Sequence, residues 1–221
     1  LRPPSRHLRR LAAGAAVLAL ALPLSACGDD ADASSDAPPQ PVAEIAAVKG
    51  KNTAIKLDKG FTDALGSLGL TPGVTGGAKL VKGSLVFPIS GGNVSVFTPG
   101  EVSPYVIGQL QHEGSGLTLA AGGTTVRLSN FNVDPGVSRV YGDVAVNGKT
   151  AVTSAYLFRL DGRTLKALAT IKDGRLAVLE GTKVFISDVA AGLLNDTYGT
   201  KAVTDQLLVG IAKITVNTTS G

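Results

Sequence analysis

The residues with the clearest chemical capacity stand close together. His112, Glu113 and Ser115 fall within four consecutive positions, and Asp143 follows further on. A histidine near a hydroxyl and a carboxylate is the raw material of nucleophilic hydrolysis: the imidazole takes the hydroxyl proton and the acid orients the ring. The only other histidine is His7, in the leader described below, so any such site must use His112. No Gly-x-Ser-x-Gly elbow accompanies it, and His112-Glu113-Gly114-Ser115-Gly116 reads as a glycine-rich bend that leaves the imidazole solvated or bonded within the turn. Paired carboxylates offer a second route through Glu101 with Glu113, or Asp134 with Asp143. Asp134 precedes Pro135-Gly136 and Asp143 follows a glycine, both ordinary turn positions. Gly91-Gly92 and Gly122-Gly123 read as two-residue turns between strands, without the helix or lysine that a phosphate cradle needs. The expectation is a protein that is not an enzyme.

Tyr105, Tyr141, Tyr156 and Tyr198 remain as candidates for binding. Tyrosine can serve as an axial haem ligand with a histidine in support; in strands it is more commonly a packing residue with a wet hydroxyl. Cys27 is the only cysteine, so the chain has no internal disulfide, and without a Cys/His cluster it has no zinc-finger pattern.

What precedes Cys27 gives that residue a different role. Arg2, Arg6, Arg9 and Arg10 form a positive leader, Leu11 to Leu22 is an unbroken apolar run, and Leu24-Ser25-Ala26 supplies small residues before the cysteine. The apolar run is too short to span a bilayer, which takes about 20 such residues. Leu24-Ser25-Ala26-Cys27 resembles the lipobox of bacterial lipoproteins. That resemblance implies a signal peptide over residues 1–26, a diacylglyceryl group on the Cys27 thiol, and a domain held on the outer face of a cell membrane with the lipid bilayer as its partner. A secretory signal followed by an incidental cysteine is the alternative, and Arg9-Arg10 leaves Sec and twin-arginine export both open.

Four of the 21 basic residues and none of the 17 acids lie in the leader, so the rest of the chain balances at 17 of each. The basic character is thus the leader's, and nucleic acid is not an expected partner. Asp29, Asp30, Asp32, Asp36 and Glu44, with Pro38-Pro39-Gln40-Pro41 between them, make residues 27–48 an acidic, proline-rich tether expected to be disordered. Residues 49–221 then form a single β-rich extracytoplasmic domain.

Within that domain Thr53 to Leu57 reads as a strand. Asp58 is placed to cap a helix from Gly60 to Leu68, on which Phe61, Ala64, Leu65 and Leu68 share one face. Gly69 and a Thr71-Pro72-Gly73 turn should end it. Extended runs follow at Ala78 to Ile89, Tyr105 to Leu110 and Leu117 to Ala120. From Thr124 to Val133 the buried positions are Val126 and Leu128, then, after an irregular step, Phe131 and Val133. Asn147-Gly148 predicts a tight hairpin between Arg139 to Val146 and Thr150 to Leu160. Thr164 to Ile171 and Arg175 to Leu179 are two further strands. Ser187 is placed to cap a helix that runs to Tyr198 and stops at Gly199, ahead of a closing strand from Leu207 to Val216. The fold class is therefore mainly β: an antiparallel meander, sandwich or barrel with a short helix near each end of the domain. Its core should be Val, Leu, Ile and a few Phe.

Three stretches carry a second resemblance. Leu85-Val86-Phe87-Pro88-Ile89 with Gly91-Gly92, then Gly108 to Leu119 with its His112-Glu113-Gly114-Ser115-Gly116-Leu117 core, then Thr125 to Phe131, together look like the HtaA-like domain of bacterial surface proteins. The tail around Ala191 to Asn195 and Tyr198-Gly199 fits the same group. The resemblance implies a haem-binding module of the cell envelope with an axial tyrosine, and Tyr105, His112 or Tyr141 as ligand-binding residues. The other functional reading is a structural or adhesive envelope protein with no small-molecule site.

Overall fold

A computed structural model describes residues 37–48 and 50–218. Pro38–Gly221 forms one compact unit; the other, Leu1–Ala37, contains the leader, Cys27 and most of the tether, and lies outside the described residues but for Ala37.

Among the described residues thirteen strands form one antiparallel sheet. In chain order they are β1 (Ala43–Ile45), β2 (Asn52–Leu57), β3 (Thr71–Gly76), β4 (Lys79–Val81), β5 (Ser84–Pro88), β6 (Gly91–Val96), β7 (Val106–Ala121), β8 (Thr124–Asp134), β9 (Arg139–Val146), β10 (Lys149–Asp161), β11 (Ala169–Ile171), β12 (Leu176–Ile186) and β13 (Leu208–Asn217). Their order across the sheet is β1-β6-β7-β8-β9-β10-β12-β13-β2-β5-β4, with β3 added to β7 and β11 to β12. The sheet curls into a half-barrel, and the two strands that end its main path, β1 and β4, are each only three residues long. Short edges that carry a charge, here Glu44 and Lys79, offer little template for pairing with another chain.

The curl has a local cause. β7 and β8 both break their two-residue alternation midway: Val106, Leu110 and His112 are buried before the break in β7, Leu117 and Leu119 after it. In β8 Val126 and Leu128 give way to Phe131 and Val133. The pairing skips between His112 and Gly116 on β7 and between Ser129 and Asn132 on β8. These are β-bulges, which bend a strand and increase its twist. A row of hydrogen bonds stitches them side by side. Gly114 N–H donates to Asn130 Oδ1 (3.0 Å), Asn130 Nδ2 donates to Asp143 Oδ2 (2.8 Å), and Ser154 N–H donates to Asp143 Oδ1 (3.0 Å). Asn130 and Ser154 take positive φ angles, and a side chain at Gly116 would strike the Leu128 carbonyl. The glycine-rich stretch after His112 is thus a bulge inside one 16-residue strand, where a bend between two strands was expected.

Other local readings change in the same way. Gly91-Gly92 opens strand β6 rather than making a turn, and Thr71-Pro72-Gly73 is part of β3, which pairs with the far half of β7. Ala78 to Ile89 is a hairpin, not one run, because Lys82 and Gly83 both take positive φ. Thr164 to Ile171 is mostly a loop, with a 3-10 turn at Gly162–Thr164 and only the short β11. Ala43–Ile45, placed in the tether by composition, pairs with β6, and Val48 is buried.

The two helices are where their caps put them. α1 (Lys59–Ser67) begins with the Asp58 carboxylate accepting from Gly60 N–H (2.8 Å), and buries Phe61 and Leu65, one turn apart. α2 (Asp188–Tyr198) begins at Ser187, whose hydroxyl accepts from Ala190 N–H and donates to Tyr156 O (2.6 Å), and it ends at Gly199 in the left-handed region. α1 follows the last residue of β2 and α2 the last residue of β12, which places both at the same end of the curled sheet.

Candidate functional site

The concave face of the sheet encloses a cavity of about 700 Å³. Nine strands line it: β2, β5 to β10 without a gap, β12 and β13. Along β7 it is faced by Val106, Leu110, His112 and, past the bulge, Leu117. At roughly 3.3 Å per residue the stretch from Val106 to His112 alone is about 20 Å long. The wall is aliphatic, with Phe87, Phe131 and Phe158 as its aromatic residues alongside Tyr105 and His112. These phenyl rings meet one another at steep angles: 79° and 5.1 Å for Phe87 with Phe131, 58° and 6.1 Å for Phe131 with Phe158.

His112 is almost fully buried, where the bend reading expected it in solvent. Its Nδ1 lies 3.3 Å from Phe131 O and its Nε2 lies 2.8 Å from Thr53 Oγ1. A carbonyl only accepts, so Nδ1 carries the proton and donates, and Nε2 accepts from the Thr53 hydroxyl. Burial pushes its pKa down to about 4, against a smaller opposing pull from the Phe131 and Leu110 carbonyls. At neutral pH the ring is therefore uncharged. The Thr53 bond joins β2 to β7, strands far apart in the sheet order, and holds the curl closed from inside. Ser115 is also buried, but its hydroxyl donates to the His112 carbonyl (3.0 Å), not to the ring. Both ring nitrogens are thus committed to Thr53 and Phe131, and Glu113 points to solvent.

The mouth lies between two segments. One is the loop from Phe97 to Tyr105, closed by Phe97 N–H donating to Tyr105 O (2.7 Å); the other is the end of β10 with the turn to Leu165. Tyr105 spans them: its hydroxyl donates to Leu165 O at 3.2 Å, and burial raises its pKa. The charged side chains at the rim are already partnered. Asp161 and Arg163 form a two-pronged pair (2.8 and 2.9 Å), which holds the Asp161 carboxyl below the usual range. Arg159 turns its guanidinium away, 4.5 Å over the Phe185 ring, which is outside the cavity lining.

Tyr141 sits elsewhere. It projects from the outer face of β9, where Arg139 Nη1 donates to its hydroxyl (3.4 Å) and stacks over Tyr156 (4.6 Å). Tyr198 serves the fold: its hydroxyl donates to Leu119 O (2.6 Å) and accepts from Val126 N–H. The structure therefore brings Tyr105 and His112 to one cavity and keeps Tyr141 out of it. Among the residues that sequence reasoning missed, Thr53 left a faint signal, a polar residue in phase with Ile55 and Leu57.

The sequence matches no family model and no curated protein. Among solved structures, the chain is similar to the C-terminal domain of HtaA from Corynebacterium glutamicum, with a TM-score of 0.54 over 77% of this chain and 98% of that one, at 10% identity. The fold is HtaA-like. At that identity the likeness concerns the fold alone, and the side chains must speak for the ligand. They fit haem poorly: both nitrogens of His112 are bonded within the protein, Tyr105 donates its hydroxyl and is pushed away from the phenolate that iron ligation uses, and Tyr141 faces outward. No group of three or more metal-binding side chains occurs among the described residues.

Proposed function

We propose that this protein is a lipid-anchored, non-enzymatic binding module of the bacterial cell envelope, which holds a lipophilic ligand inside its half-barrel. The observation that carries the reading is the cavity itself. Protein interiors are packed with few voids larger than a water molecule, whereas about 700 Å³ is the size of a small-molecule site. An apolar wall of that extent in water is stabilised by an occupant. The alternative of a purely structural or adhesive envelope protein leaves such a space without a purpose.

The anchor belongs to the reading through the lipobox-like Leu24-Ser25-Ala26-Cys27. Cys27→Ala should release the protein from the membrane fraction; a variant still processed and membrane-bound removes the anchor from the proposal. For the site, purified protein should be melted with and without an apolar probe such as anilinonaphthalene sulfonate and with hemin. A ligand at a hundredfold excess over its Kd adds about 2.7 kcal/mol of stability, an upward shift of several degrees. Hemin is included because the fold is HtaA-like, although the side chains described above fit it poorly. A Soret shift abolished by Tyr105→Phe or His112→Ala would make haem the ligand; stability unmoved by every apolar probe and by hemin would sink the binding module.

A further inference from the structure

Resting on the reading of the half-barrel as a ligand site, we infer that its occupant is a long acyl chain, inserted lengthwise with the lipid's polar head left at the mouth. Three features of the cavity select this chemistry. It is long: the lined stretch of β7 from Val106 to His112 covers about 20 Å, and Leu117 extends it. It is uncharged inside, since its one buried titratable side chain, His112, is neutral and its nitrogens are spent on Thr53 and Phe131. Thr53 and Thr182 supply hydroxyls but no charge, so a charged group carried inward would lose its water with no opposite charge to meet it. Its phenyl pairs meet at 79° and 58°, so neither pair offers parallel faces to sandwich a flat macrocycle, while the remaining aliphatic wall suits a flexible chain.

The mouth complements the other end of such a molecule. Ser103 and Ser138 border it, and Asp161 and Arg163 neutralise each other there, so a polar head meets hydroxyls and a closed ion pair instead of a single uncompensated charge. The Tyr105 to Leu165 hydrogen bond crosses between the two lips and is the contact an entering chain must pass. A fatty acid and a membrane phospholipid share this chemistry and differ in how many chains they bring.

The full chain carrying Cys27→Ala, which has no lipid of its own to compete, should be stripped of lipid and titrated with cis-parinaric acid. Saturable fluorescence with one probe per chain is expected. Displacement by saturated fatty acids from octanoate to palmitate should tighten about fourfold for each added methylene until the chain outruns the cavity. Ala212→Phe, which fills the space beside β13, should weaken probe binding at least tenfold; a circular dichroism spectrum unlike the parent's would disqualify that variant and leave the chain-length series to decide. Incubation with phosphatidylglycerol vesicles, followed by mass spectrometry of the re-isolated protein, separates a bound fatty acid from a bound phospholipid. Affinity that does not change with chain length, or a folded Ala212→Phe that binds the probe as before, overturns the acyl assignment. Should hemin or anilinonaphthalene sulfonate bind while no acyl chain does, the acyl inference falls and the binding module stands; should nothing bind, both fall.

Discussion

The inner and outer faces of strands β7 to β10 take alternate residues of the same strands, yet they have opposite chemistry. Inside are Leu110, Phe131, Val133, Val140 and Phe158, with one neutral imidazole among them. Outside are the stitched polar row of Asn130, Asp143 and Ser154 and the stack of Arg139, Tyr141 and Tyr156. A strand keeps such a division only while its period of two is unbroken, and bulges break it. Here the bulges of β7, β8 and β10 lie side by side, so those strands change phase at one level while β9 keeps its period, and the faces stay distinct. The outer polar row bridges the bulges that bend these strands around the inner cavity.

Breaking the inner face should have the largest effect. Leu157 is fully buried, and Leu157→Ala should cost about 2–5 kcal/mol in urea unfolding. Acid attacks the same face through His112. Its pKa is near 6.5 unfolded and about 4 folded, so the stability from keeping it neutral is complete above pH 6.5 and is lost as pH falls through that range towards 4. The loss should reach roughly 3 kcal/mol at 1.36 kcal/mol per pH unit, and His112→Gln should flatten that part of the curve; an unchanged slope in the variant would show that another group governs it. On the outer face, Asp143→Ala removes the acceptor shared by two bulges and should cost about 1–2 kcal/mol, with a matching fall in ligand affinity if curvature shapes the cavity. Tyr141→Phe should change stability by less than about 0.5 kcal/mol and leave binding of any cavity ligand unaltered. Weakened binding in that variant would mean that the ligand lies on the outer face.

Legibility in the sequence followed the range of the interactions concerned. Both helix caps, the Asn147-Gly148 hairpin and the phase change from Leu128 to Phe131 could be read because a few adjacent residues decide them. The glycines misled where sheet partners mattered. Gly91-Gly92 and the stretch after His112 look like turns, but neighbouring strands capture them as pleated or bulged backbone. Tyr105 and His112 were legible as candidates, whereas their common cavity was not, since its walls come from nine strands spread over the domain.

By itself the sequence determined the alternation of the strands, the ends of both helices and the β class, all consequences of local backbone preference and side-chain period. Only the tertiary structure decided that the sheet curls around a space and that His112 is buried and neutral within it. The reason is physical: the Thr53 hydroxyl that accompanies its imidazole lies 59 positions away in the chain, and nothing local to either residue specifies the meeting.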